Sequence, residues 1–358
     1  MLDAIGRTEA VHAAAICDVY EPLLRRAAAG APKASATTEW RRLVDSPDVD
    51  AIVVATPTPA HREIAVAALA AGKHVYCEAP LAASVEDARA IATAASGAQG
   101  LVFQGGLQGR SNALYRHVLQ FVKSGVLGDI AVVHAHWNRK DSWRRAAPAP
   151  ERERALNWRL DSRSPGLMGE IGIHPIDLVS LYLGAAPAVL SGTGTIAAWR
   201  DGRTTPDTAA CVLRVGRHRA EVRATLASSF GGADVVFQGS NSSLLLRETR
   251  AWLIKEADSP LLGWEVYARK EPVHDETGIA LVADATKLLQ AGREPGKDGP
   301  VEPEKPALVL ALEAFAAAVR TGAPSPCGPI ESCAATEAAL AANAAVVSDF
   351  EREMAHDR

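Results

Sequence analysis

The sequence predicts an α/β protein: an open parallel sheet with helical crossovers, then an α+β domain built on a large antiparallel sheet. Three observations predict it. The first third alternates short apolar, β-branched runs with Ala-rich helical stretches, the spacing of strand–helix–strand units. After Gly128 the strands alternate apolar and polar residues and are joined by Gly-containing turns such as Val215-Gly216-Arg217. The length of 358 residues accommodates two domains of ordinary size.

In chain order, His12 to Cys17 is an apolar run ending at Asp18, and a polar, Ala-rich helical stretch follows before Trp40 to Val44. Asp50 to Ala55 is a buried strand stopped by Thr56-Pro57-Thr58-Pro59, where two prolines forbid continued pairing. His61 to Ala71 reads as a helix with Gly72 past its end. Lys73 to Cys77 is the next strand, and Ser84 to Ala95 a helix with Ser84 as N-cap. Leu101 to Gln104 closes the parallel set with right-handed crossovers. Beyond it come a strand from Ile130 to Trp137, a long polar loop from Asn138 to Pro165, and a helix from Pro175 to Leu183. Strands follow at Ala188 to Ile196, Thr208 to Val215, Arg219 to Leu226 and Asp234 to Gly239. Ala291 to Pro306 reads as a polar loop, before the closing helices Ala307 to Arg320 and Ser332 to Glu351.

Composition excludes several classes of function. Apolar residues make up 48% and charged residues 22%, with a net charge of -4 and no Lys/Arg-rich block, so a nucleic-acid partner is not expected. No apolar run reaches the ~18 residues of a membrane span. The segment MLDAIGRTEA lacks the basic and apolar regions of a secretory signal. A cytoplasmic location is expected, or export if an upstream signal has been lost. The five cysteines are scattered without a C-x-x-C pair and are read as buried structural thiols.

Four stretches together carry a resemblance. Val53 to His61 (VVATPTPAH) is similar to a strand-end signature, and Ala68 to Leu81 (ALAAGKHVYCEAPL) to an A-G-K-H-V-x-x-E-K-P-L element. Gly169 to Gly184 (GEIGIHPIDLVSLYLG) resembles a D-x-G-x-H-x-x-D helix start, and Arg320 to Pro326 (RTGAPSP) an R-T-G-x-P-x-P connection. On these the chain is identified as a member of the glucose-fructose oxidoreductase/inositol dehydrogenase/MocA family. Gln104 to Tyr115 with Asn157-Trp158-Arg159 is similar to a branch common among secreted bacterial members.

The resemblance implies a Rossmann-type NAD(P)-binding domain over residues 1–127, here without its first strand. It implies an α+β domain for substrate and oligomerisation over residues 128–358, its last helices packing back on the first. An uncovered apolar sheet face calls for a partner, and homodimer or homotetramer contacts are implied. The substrate would be a sugar, polyol or derivative, and the reaction hydride transfer to or from NAD or NADP.

Removing hydride from a secondary alcohol needs a base for the hydroxyl proton, a donor or cation for the alkoxide, and a carbon facing the nicotinamide. His174 is the candidate base, its unperturbed pKa being ~6.5. It precedes Pro175, which suits a first helical position, so a helix N-cap is expected; a plain capping or core histidine is the alternative. Glu170 takes the place of the family's aspartate, where a carboxylate orients or charges the histidine. Asp177, three residues beyond His174, falls on the same helix face as an orienting group. Helix-end electrostatics is the alternative for both. A Glu170–His174 metal pair lacks a third ligand at convincing spacing.

Ala79 stands where the family motif has a lysine that polarises the reacting oxygen, and alanine offers neither charge nor hydrogen bond. Losing such a group typically costs ~3 kcal/mol in barrier height. Arg110, Lys140, Trp158 and Arg159 lie in segments expected to line the substrate pocket. For the cofactor, Asp18 ends the first visible strand and fits the acidic residue that binds the ribose, favouring NAD over NADP; a strand-ending turn residue is the alternative. The G-x-G-x-x-G fingerprint that holds a pyrophosphate is absent near this N-terminus. Thr56, Pro57 and His61 are expected beside the nicotinamide ribose, with Glu78 and Pro80 shaping the same rim. Three readings stand: a sugar or polyol oxidoreductase, a redox-neutral sugar lyase or glycosidase that retains NAD, and a non-catalytic member that has lost the cofactor.

Overall fold

The computed structural model describes residues 1–9, 11–161, 163–281 and 305–356. It divides into two compact units, each assembled from separated stretches: 1–111, 144–173 and 306–340 in the first, 112–143, 174–305 and 341–358 in the second. The units are therefore interleaved along the chain rather than consecutive. Most of the polar segment expected as a loop from Ala291 to Pro306 lies outside the described residues.

The first unit carries strands β1 (Ala15–Cys17), β2 (Ser35–Thr37), β3 (Ala51–Val54), β4 (His74–Cys77) and β5 (Phe103–Gly105). All pair in parallel, but in two pieces: β1 with β2, and β3–β4–β5. A doubly wound sheet orders its strands third, second, first, fourth, fifth, sixth. The two pieces correspond to that order with its central first strand left out. Helices Glu21–Gly30, His61–Ala70 and Val85–Gly97 make the crossovers. The last is capped by Ser84, whose Oγ accepts the Asp87 N–H at 3.1 Å.

Both faces of β3–β4–β5 are covered. Ile52, Val54, Val75 and Cys77 pack with Ile64, Ala65, Ala68 and Ile91 on one side. Tyr76 points to the other, edge-on to Phe315 at 5.9 Å, beside Val309 and Leu312 of helix Ala307–Thr321 and Ala4 of helix Leu2–Gly6. Burial on two faces is why these strands read as unbroken apolar runs. Each fully buried Val, Leu or Ile contributes roughly 1.5–3 kcal/mol. By contrast β2, read from sequence as part of a helical stretch, is a three-residue exposed edge with no apolar pattern to betray it.

Among the described residues, the second unit carries a nine-stranded sheet. Its strands are β6 (Ile130–Asn138), β7 (Pro187–Thr195), β8 (Thr208–Val215), β9 (His218–Thr225), β10 (Ala233–Gly239), β11 (Ser242–Arg247), β12 (Ala251–Lys255), β13 (Lys270–Val273) and β14 (Glu276–Leu281). They lie in the order β13-β14-β12-β11-β10-β6-β9-β8-β7. Pairing is antiparallel except between β6 and β9, which run parallel. One face buries Val133, Ala135, Val222, Val235 and Phe237, with Tyr182 of helix Ile173–Leu183 stacked on Phe237 at 5.3 Å. The opposite face departs from the expected apolar surface. It holds an open groove of about 670 Å³ in which charged and polar side chains such as His134, His136, Glu221 and Asp234 mix with Val236 and Leu245.

Helix Pro329–His356 includes a stretch, Pro329–Arg352, long and apolar enough to cross a bilayer by length and composition. Its Ala338, Ala339, Ala342 and Val346 are buried in protein.

Candidate active site

The carboxyl ends of β3 and β4 are tied together by one side chain. After β3 the chain turns at Thr56-Pro57 into a 3-10 turn, Thr58–Ala60, that runs straight into helix His61–Ala70. His61, the first residue of that helix, is 1% exposed. Its Nε2 lies 2.9 Å from the Thr56 carbonyl oxygen and its Nδ1 3.1 Å from that of Pro80. The imidazole thus pins the loop after β3 to Glu78-Ala79-Pro80, the loop after β4, whose Ala79–Pro80 peptide is cis. Burial lowers the His61 pKa, while the carbonyls of Thr56 and Pro80 work against that shift.

Glu78 is half-buried on the same rim. Desolvation pushes its carboxyl up to about 7, against the opposing pull of the Ala79 N–H. Gly106 crosses beneath it. A Cβ at Gly106 would lie 2.5 Å from Glu78 Oε2 and 2.9 Å from the Ala79 nitrogen, so only glycine lets the chain pass.

Glu170 joins this cluster from the π-turn Met168–Gly172. It is 8% exposed, accepting from the Thr58 hydroxyl at Oε1 (2.9 Å) and from Arg159 Nε at Oε2 (2.7 Å). Burial raises its pKa, and the guanidinium and the hydroxyl oppose the rise. Arg159 belongs to the 3-10 turn Trp158–Leu160, and its guanidinium carbon lies 4.4 Å from the ring centre of Trp158. The π-turn depends on small residues: a Cβ at Gly169 would strike Pro165, and one at Gly172 would strike Met168.

His174 lies in the second unit and is not at a helix N-cap, contrary to the expectation from Pro175. The π-turn at Met168–Gly172 leads without a break into helix Ile173–Leu183, so His174 sits within helical backbone. Pro175 cannot donate to the preceding turn, and it stands where the helix has just emerged from the wider π geometry. The imidazole is partly exposed and packs on Trp137 with ring centres 4.7 Å apart. Desolvation pushes its pKa down to about 4. Asp177 is 2% exposed, three residues further along the same helix. Lys140 is exposed just beyond β6.

Among the residues singled out from sequence, the structure joins Thr56, His61 and Pro80 by hydrogen bonds, and Glu170 with Arg159 and Trp158. Pro57 leads into the turn that carries Thr58, and Arg110 lies in the 3-10 turn Gln108–Ser111 after β5. Asp18 spends Oδ1 on the Tyr20 N–H at 2.8 Å, as a strand-ending turn residue would. Tyr20 in turn lies under the Arg152 guanidinium, 4.4 Å from its ring centre. Sequence reasoning passed over Thr58 and Gly106. The signal for both was position, since each follows a parallel strand's carboxyl end, where ligands of such sheets bind.

Comparison with known proteins gives the following. A family model described as an oxidoreductase family with an NAD-binding Rossmann fold matches residues 3–105. A GFO/IDH/MocA C-terminal domain model matches residues 115–245. Levoglucosan dehydrogenase of Pseudarthrobacter phenanthrenivorans is 29% identical over 157 residues, 43% of this chain and 38% of that protein. A 1,5-anhydro-D-fructose reductase of Ensifer adhaerens is 35% identical over 154 residues, 42% of this chain and 43% of that protein. Each match spans less than half the length of its curated relative. A solved levoglucosan dehydrogenase in complex with NADH and levoglucosan superposes with a TM-score of 0.72 at 20% identity, over 96% of this chain and 89% of that one. At that identity the likeness concerns the fold.

Proposed function

The chain belongs to the glucose-fructose oxidoreductase/inositol dehydrogenase/MocA family of NAD-binding oxidoreductases, and on that premise we propose that it transfers hydride between a carbinol carbon of a sugar or polyol and a nicotinamide dinucleotide. The observation that carries this reading is His174. It is partly exposed and rests on Trp137, and desolvation favours its neutral form, which can accept a hydroxyl proton but holds it weakly. Asp177 is its positioning neighbour on the helix.

The donor set fits the cofactor at its two ribose ends. Asp18 at the end of β1, with Oδ1 held by the Tyr20 N–H, has Oδ2 for a ribose hydroxyl, which favours NAD over NADP. Thr56, Pro57, Glu78 and Pro80 border the ends of β3 and β4, where the nicotinamide half would lie. His61 acts there as a brace rather than a ligand, because both its nitrogens face backbone carbonyls. When bound, the dinucleotide supplies the hydride acceptor or donor. The protein's own residues orient the substrate and take or return the hydroxyl proton. The family likeness leads us to expect dimers or tetramers, a state light scattering reads directly.

The test is NADH formation, followed by absorbance, with a panel of levoglucosan, inositols and other polyols. His174→Asn should lower kcat by about 10²–10⁴-fold, the usual worth of a general base, while dinucleotide binding in calorimetry stays unchanged. Activity equal to that of the native protein would dismiss His174. Failure of the native protein to bind NAD or NADP would favour a non-catalytic subunit, the reading that Ala79 supports.

A further inference from the structure

We propose that Arg152, held on the ring of Tyr20 beside Asp18, is a seat for a ribose 2′-phosphate, so that this chain binds NADP as well as NAD. The assignment deepens the dinucleotide reading above and rests on it. Every residue it uses belongs to the first unit.

In a doubly wound sheet an acidic residue at this strand end meets the ribose diol, and an arginine nearby accommodates a 2′-phosphate in its place. Which dinucleotide is accepted therefore turns on the charges around the end of β1. Asp18 is fixed there by its own turn, Oδ1 taking the Tyr20 N–H at 2.8 Å. The same bond sets Tyr20, the residue that leads into helix Glu21–Gly30, close beside the carboxylate. The guanidinium carbon of Arg152 then lies 4.4 Å from the centre of the Tyr20 ring. Arg152 reaches this place from the 3-10 turn Pro150–Arg152, so the fold rather than the local sequence brings it to the strand end.

This arginine has no other commitment among the described residues. The neighbouring carboxylate of Glu153 is taken by Arg144 and Asn157. The Arg152 Nε–H is buried without an acceptor, and the partly exposed side chain leaves its two outer nitrogens for a ligand. An arginine kept for stability spends its donors on carboxylates and carbonyls, as Arg203 does on Asp201 and the Ser142 carbonyl. Arg152 keeps its donors, while the ring beneath it fixes the guanidinium plane by cation–π attraction. A planar, oriented fork of N–H groups is the geometry that grips a phosphate through parallel bonds. Such a phosphate carries about -1.5 to -2 charge near neutral pH, and Asp18 alone would repel it. Arg152 offsets Asp18, so the strand end can take either the diol or the phosphate ester. Glu21, the next acidic group on this turn, is exposed and screened by water and salt.

The experiment is calorimetry on the whole chain with NAD, NADP, 5′-AMP and adenosine 2′,5′-bisphosphate, and it needs no sugar turnover. The native protein should bind NADP within about tenfold of NAD, because the two charges at the strand end are equal and opposite. Arg152→Ala should weaken NADP and the bisphosphate by ~10–100-fold, the worth of a hydrogen-bonded charge pair. NAD and 5′-AMP should change by less than about threefold, which shows in the same titrations that the variant is folded. Asp18→Asn should move the preference the other way, tightening NADP relative to NAD. Equal losses across the four ligands in Arg152→Ala would mean that the side chain supports the adenine or the loop rather than the phosphate. That result, or a native protein that binds NAD but not NADP, overturns the assignment and leaves the oxidoreductase reading standing. A native protein that binds neither dinucleotide overturns that reading, and the assignment goes with it.

Discussion

Replacing His61 by phenylalanine tests whether the two strand-end loops are held by one imidazole. Phenylalanine keeps a flat ring but is bulkier, so the change removes hydrogen bonding and adds some overpacking to the stability cost. The carbonyls of Thr56 and Pro80, at 2.9 Å and 3.1 Å from the ring nitrogens, would lose their partner in a site that is 1% exposed. An unsatisfied buried acceptor costs roughly 1–3 kcal/mol. A neutral ring donates from one nitrogen only, so one carbonyl loses its donor and the total should fall near ~1–3 kcal/mol. Urea unfolding measures the stability. Calorimetry with NAD measures whether Glu78-Ala79-Pro80 has lost its place, and at least a tenfold loss of affinity is expected. Stability within about 0.5 kcal/mol of native, the usual scatter for an inconsequential site, together with unchanged affinity would refute the reasoning.

Two further outcomes follow, the first from the same rim. Gly106→Ala drives a Cβ to 2.5 Å from Glu78 Oε2 and 2.9 Å from a backbone nitrogen that cannot swing aside; it should cost ~1–3 kcal/mol and weaken NAD binding, as melting curves and calorimetry would record. The second concerns pH. Glu78, raised to about 7, holds its proton in the folded state at pH values where an unfolded carboxylate has lost it, so its contribution falls as pH climbs from about 4.5 to 7. His174, lowered to about 4, resists protonation that the unfolded chain accepts, so its contribution rises as pH climbs from about 4 to 6.5. The two slopes oppose each other between them. Glu78→Gln should therefore unmask a gain of stability with rising pH, and His174→Asn a loss, each up to about 3 kcal/mol across its window. Denaturation midpoints that shift with pH identically in all three proteins would contradict both assignments.

How much could be read in advance depended on how many faces an element buries. β3 and β4 announce themselves because Ile52, Val54, Val75, Tyr76 and Cys77 are buried on two sides of the sheet. β2 is an exposed edge, and neither its residues nor its length distinguish it from the helix before it. Motif spacing singles out Glu170 and His174 but sets the latter at a helix start, because Pro175 signals a first turn unless the backbone upstream has already wound into a π-turn. The Arg159–Glu170 contact had no signature at all. It joins a 3-10 turn to a helical turn eleven residues on, and only the fold decides which oxygen meets which nitrogen. The sequence sets His61 beside the nicotinamide ribose, whereas its two ring nitrogens face backbone carbonyls, a distinction only the coordinates draw.

The division of the parallel sheet has a mechanical meaning. Among the described residues, β1 is hydrogen-bonded only to β2, and β3 only to β4. Each therefore shows a rim of unanswered amide and carbonyl groups, the kind of border along which an extended peptide adds itself. Such borders make a protein receptive. A strand laid along either border would meet backbone donors and acceptors already spaced for parallel pairing.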